Sequence, residues 1–151
     1  MSGTNYGPAA AAAQEQARAE NQVQMPPKSP IFAHGMGEVE RRLVANLDLL
    51  ADTCYRIAGS KGWHENDPRN FGEVIALIHS EASEAFEFHR KGDDAPSDHI
   101  PGFTGVEEEF ADIIIRVLDA GVELQLRVPE AVIAKLEYNR TRTHKHGGKK
   151  C

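Results

Sequence analysis

Apolar residues recur at helical spacing through most of the chain beyond its first thirty or so positions, and no stretch stands out with the alternation of a strand. Leu43, Leu47, Leu50, Cys54 and Ile57 follow each other at steps of 4, 3, 4 and 3, the stripe of a helix packed in a bundle. This predicts a first helix from about Gly37 to Ala58, stopped by Gly59 and Gly62. A second helix is predicted from the Asn70 cap to Gly92. Glu73 stands at its third position, and Arg90 and Lys91 sit in its last turn, where cations suit the helix dipole. A polar loop over 93–103 follows. Thr104 and Glu107 then have the spacing of a capping box for a third helix over 105–124, which Ile113, Ile114, Ile115, Val117 and Leu118 make apolar on most sides and therefore central. Pro129 suits the first turn of a fourth helix, 129–143. The expected fold is all-α, an antiparallel four-helix bundle over residues 34–148. Residues 1–33, rich in Ala, Gln, Gly and Pro, are expected to form a flexible tail with room for a short helix between Ala9 and Gln22.

The chain has 151 residues, enough for one domain and one core. Its net charge of −6 argues against a general nucleic-acid binder, which needs a basic surface. No apolar run approaches a membrane span. Of the two cysteines, Cys54 continues an apolar stripe and Cys151 ends the chain, so no disulfide framework is indicated and a reducing cytoplasm fits.

Carboxylates carry the chemistry. Glu81 and Glu84 form one i,i+3 pair, and Glu109 and Asp112 form another. Residues three apart share a helix face, so each pair can aim two oxygens at one point. Glu81 lies seven residues after Val74 and seven before Phe88, and Glu84 lies seven after Leu77, so both line up with core positions. Buried carboxylates are normally paired or bound to metal. Glu109, Asp112, Arg116 and Asp119 form one polar stripe that, taken alone, reads as a solvent face. Glu84 and Asp112 each stand about 12 Å along their helices from the connecting loop, which makes the pairs level in a helical hairpin. Four such oxygens suit Mg²⁺ or Mn²⁺.

Glu81-Ala-Ser-Glu84 followed by Glu109-Phe-Ala-Asp112 resembles the E-x-x-E…E-x-x-D pattern of the MazG-like all-α NTP pyrophosphatases. The resemblance spans about Gly62 to Gly148 and takes in the 107–116 stretch and Lys135-x-x-x-Asn139-x-x-Arg142. It implies Mg²⁺-dependent hydrolysis of a nucleoside triphosphate to the monophosphate and pyrophosphate. Glu81, Glu84, Glu109 and Asp112 would be the metal and catalytic residues, and Lys135 and Asn139 would lie near the triphosphate. It also implies a homodimer or homotetramer, for which Ile113–Ile115 are apolar enough.

Lys135, Asn139 and Arg142 suit phosphate oxygens by charge and donor geometry, and also read as an ordinary helix end. The basic tail His144–Lys150 reads as solvated, with folding over phosphates as the alternative. Trp63 can stack on a nucleobase or plug the end of the bundle, and His64 stands beside it. Glu87 and Glu108 are expected to face solvent. Two other functions fit the same residues: a helical binding or regulatory module with a non-catalytic metal site, and a phosphoribosyl-ATP pyrophosphatase. A ferritin-like di-iron site would need Glu-x-x-His, which the chain lacks.

Overall fold

A computed structural model describes residues 35–65, 69–92 and 94–143. The tail and short helix expected within residues 1–33, and the basic C-terminal tail, lie outside them. The described residues form four helices: α1 (Glu38–Ser60), α2 (Phe71–Lys91), α3 (Gly105–Glu123) and α4 (Val128–Thr141). The all-α expectation holds for them, and none of these helices is long and apolar enough to cross a membrane.

Local chemistry sets the boundaries. α1 runs through Gly59, and the turn comes at Gly62, whose φ of +86° favours glycine. The Asn70 side chain accepts from the backbone N–H of Gly72 and Glu73 at 2.8 and 3.3 Å, capping α2. Thr104 and Glu107 make the expected capping box on α3. Pro129 stands in the first turn of α4. Between α2 and α3 the chain doubles back, with Gly105 N–H donating to the Ala95 carbonyl at 2.9 Å and Ser97 N–H to that of Phe103 at 2.9 Å. At the start of α3 only glycine fits: a Cβ on Gly105 would stand 2.1 Å from the Phe88 ring.

α3 is the central element, packed against both α1 and α2, while α4 packs on α1. Ala51, Cys54 and Leu118 form the buried cluster between α1 and α3, with Val122 and Val128 against it. Val74, Ala85 and Phe88 are the buried apolar residues of α2. On α1 the buried face is Val44, Ala51 and Cys54, so the predicted stripe is rotated: Leu43, Leu50 and Ile57 are exposed.

α3 reverses the expectation more fully. Its polar stripe faces inward, with Glu109 at 6% and Asp119 at 4% exposure, while Phe110 and Ile114 are 57% and 54% exposed. The inward carboxylates have partners on α2 and in the segment between α1 and α2, which is what makes their burial tolerable.

Candidate metal centre

Three of the four expected carboxylates converge. Oxygens of Glu81 on α2 and of Glu109 and Asp112 on α3 lie within 4.8 Å of one another. Glu81 and Glu109 are buried and Asp112 is half-buried. Glu84 stands apart, exposed, and accepts a hydrogen bond from Ser80 Oγ at 3.0 Å. The Val74–Glu81–Phe88 line is buried along its length, whereas the line through Leu77 and Glu84 opens to solvent. Glu84 nonetheless lies close enough for its charge to act on Glu109.

Crowding shows in the proton affinities. Glu109 is pushed up to about 7, first by burial, then by a hydrogen bond with Glu81 and by the charges of Glu84, Glu81 and Asp112. Burial, and then the charge of Glu81, also raises Asp112, against the opposing pull of Arg116. Arg116 is the built-in counter-ion: its Nε donates to Glu81 Oε1 at 2.5 Å, and Nη2 pairs with the same carboxylate. The guanidinium carbon lies 5.7 Å from the Trp63 ring centroid, so the exposed indole stands one contact away from the cluster.

The Glu109 carboxyl ordinarily titrates at 4.5 and does so at about 7 in the fold, so between those values the folded chain holds a proton that the unfolded chain has lost. Stability from this group is therefore present below pH 4.5 and declines as pH rises toward 7. Metal-free wild-type protein should lose more melting temperature between pH 5 and pH 8 than Glu109→Gln does. Parallel melting curves for the two proteins over that range would contradict the placement of Glu109.

His64 is held firmly. Its Nε2 lies 2.8 Å from Asp119 Oδ1, and its ring stacks on Tyr55 at 4.2 Å. Asp119 is shared with Arg69, which also binds Glu123, so these four side chains make a buried polar network at the C-terminal end of α3. Lys135, Asn139 and Arg142 are exposed on or just beyond α4. The Lys135 ammonium sits 4.4 Å over the Tyr138 ring and Arg142 lies 5.7 Å from the same ring, so the aromatic contacts of both are local to α4 rather than with the acidic pairs.

Two features beside the acidic cluster escaped the sequence reading. One is the Arg116–Glu81 pair; the i,i+4 spacing of Asp112 and Arg116 was its available signal. The other is Glu108, expected in solvent and found buried. It accepts from Ser97 Oγ at 2.7 Å and from His99 Nδ1 at 2.6 Å. Glu87 is exposed as expected, paired with Arg90.

Comparison of the chain with protein-family models, with curated proteins and with solved structures finds no match.

Proposed function

We propose that the chain is a Mg²⁺-dependent nucleoside triphosphate pyrophosphohydrolase, releasing pyrophosphate from canonical or modified dNTPs, with the domain an antiparallel four-helix bundle of the MazG-like type. The observation that carries this reading is the convergence of Glu81, Glu109 and Asp112 from two helices. Three hard oxygen donors fit Mg²⁺, or Mn²⁺ in its place. A resident guanidinium at the same point fits a position that favours positive charge.

The bound cation would neutralise the triphosphate and lower the pKa of a water. The protein's own contribution is positioning. Glu81, Glu109 and Asp112 would present the ligand oxygens from buried and half-buried positions, where charge acts more strongly than in water. Arg116, which now pairs with Glu81, would be the residue to turn to the triphosphate in the metal-bound state. Glu84, exposed at the rim, is free to receive the proton of the attacking water or to join as a fourth ligand; Glu81 is the other carboxylate fitted to the base role. The phosphate role of Lys135, Asn139 and Arg142 is kept within this proposal, supported by their exposure and by charge and donor chemistry.

The deciding assay incubates purified protein with a dNTP and NTP panel plus phosphoribosyl-ATP, with and without Mg²⁺, and measures monophosphate and pyrophosphate. Mg²⁺-dependent release from dNTPs is the expected result. Release from phosphoribosyl-ATP alone would move the assignment to that activity. Metal binding with no release from any compound would leave a binding module.

The same proposal includes self-association. Phe110 and Ile114 on α3, and Leu43, Leu50 and Ile57 on α1, leave apolar stripes exposed, as expected where helices meet a second copy. Sedimentation velocity should show a homodimer or homotetramer, and Ile114→Glu should yield a helical monomer. A wild-type protein monomeric at tens of micromolar would remove this element.

A further inference from the structure

Around the acidic cluster, α3 presents different chemistry one turn to either side. Asp112 is preceded at i−4 by Glu108 and followed at i+4 by Arg116, each about 6 Å along the axis and on the same face. The Arg116 side leads to Trp63, an exposed aromatic face 5.7 Å from the guanidinium. The Glu108 side leads to His99. Glu108 is a buried carboxylate, and its two oxygens are taken by Ser97 Oγ at 2.7 Å and His99 Nδ1 at 2.6 Å. Ser97 Oγ in turn accepts from the backbone N–H of His99 at 3.1 Å and of Ile100 at 2.8 Å, which fixes the loop that carries the imidazole. The ring is thus oriented through Nδ1 while 81% of the side chain remains exposed, and no described residue meets its Nε2.

A carboxylate holding one ring nitrogen commonly orients the other for work. Nothing in the packing requires this imidazole, since it fills no part of the core. Glu108, which the ring touches, stands one helical turn before Asp112 on the same face of α3, so the imidazole lies on the loop side of the cluster. Donating Nδ1–H to Glu108 holds the His99 imidazole above its ordinary range, which favours the cationic form in which Nε2 also bears a hydrogen.

We infer that His99, positioned by Glu108 and Ser97, donates a hydrogen bond to the leaving pyrophosphate, so that a bound nucleotide lies with its base toward Trp63 and its terminal phosphates toward His99. This rests on the proposed hydrolysis. With the α–β anhydride over Glu81, Glu109 and Asp112, base and pyrophosphate must extend to opposite sides. The stacking surface lies on one side and the oriented donor on the other.

The test uses the full chain and titration calorimetry with magnesium pyrophosphate, with a nucleoside monophosphate, and with Mg²⁺ alone. His99→Ala should weaken pyrophosphate binding roughly tenfold, the order expected for one charge-assisted hydrogen bond. Monophosphate and Mg²⁺ affinities should stay within about twofold, and the melting temperature should fall only slightly, because Ser97 still donates to Glu108. His99→Lys, which keeps a cation at the position, should recover part of the loss. Trp63→Ala should show the converse, weakening the monophosphate alone. Equal pyrophosphate binding by wild type and His99→Ala, no pyrophosphate binding by wild type, or equal losses for both ligands would each overturn the inference. The wild-type hydrolysis assay is independent. An active wild type with an unaffected His99→Ala refutes this role and leaves the function, whereas an inactive wild type refutes the function itself.

Discussion

Exchanging Asp112 for asparagine is expected to lower pyrophosphate release by about 100-fold or more while the protein stays folded. A cation in such a site supplies several kcal/mol of transition-state stabilisation, and each ~1.4 kcal/mol is tenfold in rate. Asparagine keeps the shape of Asp112 but removes the charge of one of three converging carboxylates. Because burial and Glu81 already push this carboxyl up, its neutralisation also relieves repulsion in the metal-free chain. The variant should therefore melt at the same temperature or slightly higher without metal, and gain less from saturating Mg²⁺ than wild type does. Glu84→Gln should be the milder change, since Glu84 acts from the rim. Steady-state assays and thermal melts with and without Mg²⁺ read both effects. Near-normal turnover by Asp112→Asn would end the metal-site assignment.

The largest expected loss of stability lies elsewhere, at Arg69. Its guanidinium bridges Asp119 at 2.7 Å and Glu123, and all three side chains are nearly buried. Breaking a buried pair by deleting one partner costs about 3–5 kcal/mol, because a charge is left without compensation. Arg69→Ala leaves two such carboxylates behind, with only His64 to answer Asp119. The expected fall in melting temperature is roughly 10–20 °C for a domain of this size. Arg140→Ala, which removes an exposed i,i+3 pair with Glu137, should change it by only a degree or two. Similar melting temperatures for Arg69→Ala and wild type would show that the network contributes little.

Helix positions were legible in the sequence because they depend on neighbours in the chain. Thr104 with Glu107, Asn70 with the N–H groups that follow it, and Pro129 in a first turn all act within four residues. Which face each helix buries was harder to read. The spacing of seven puts both Glu81 and Glu84 in line with apolar residues, and only the packing of α3 decides that Glu81 is covered and Glu84 is not. On α3 Phe110, Ile114 and Ile115 are turned outward while Glu109 and Asp119 are buried beside Leu118, so polarity along the helix does not mark the inner face. The partners of the inward stripe lie 35 residues away for Arg116–Glu81 and 55 for His64–Asp119, and no local pattern announces them. The Ser97–His99–Glu108 arrangement was missed for a different reason. Nine and eleven residues of loop and helix separate its members, and an acidic residue in a first helical turn already has an ordinary explanation in the dipole.

The chain contains one tryptophan. Because Trp63 is half-exposed and borders the guanidinium that Glu81 holds, its emission is a built-in optical gauge of the acidic cluster. A cation that takes Glu81 from Arg116 changes the charge beside the indole, and with it the wavelength and yield of the light emitted. Binding of the proposed cation would thus be readable in the unlabelled protein on the timescale of mixing, apart from any assay of hydrolysis.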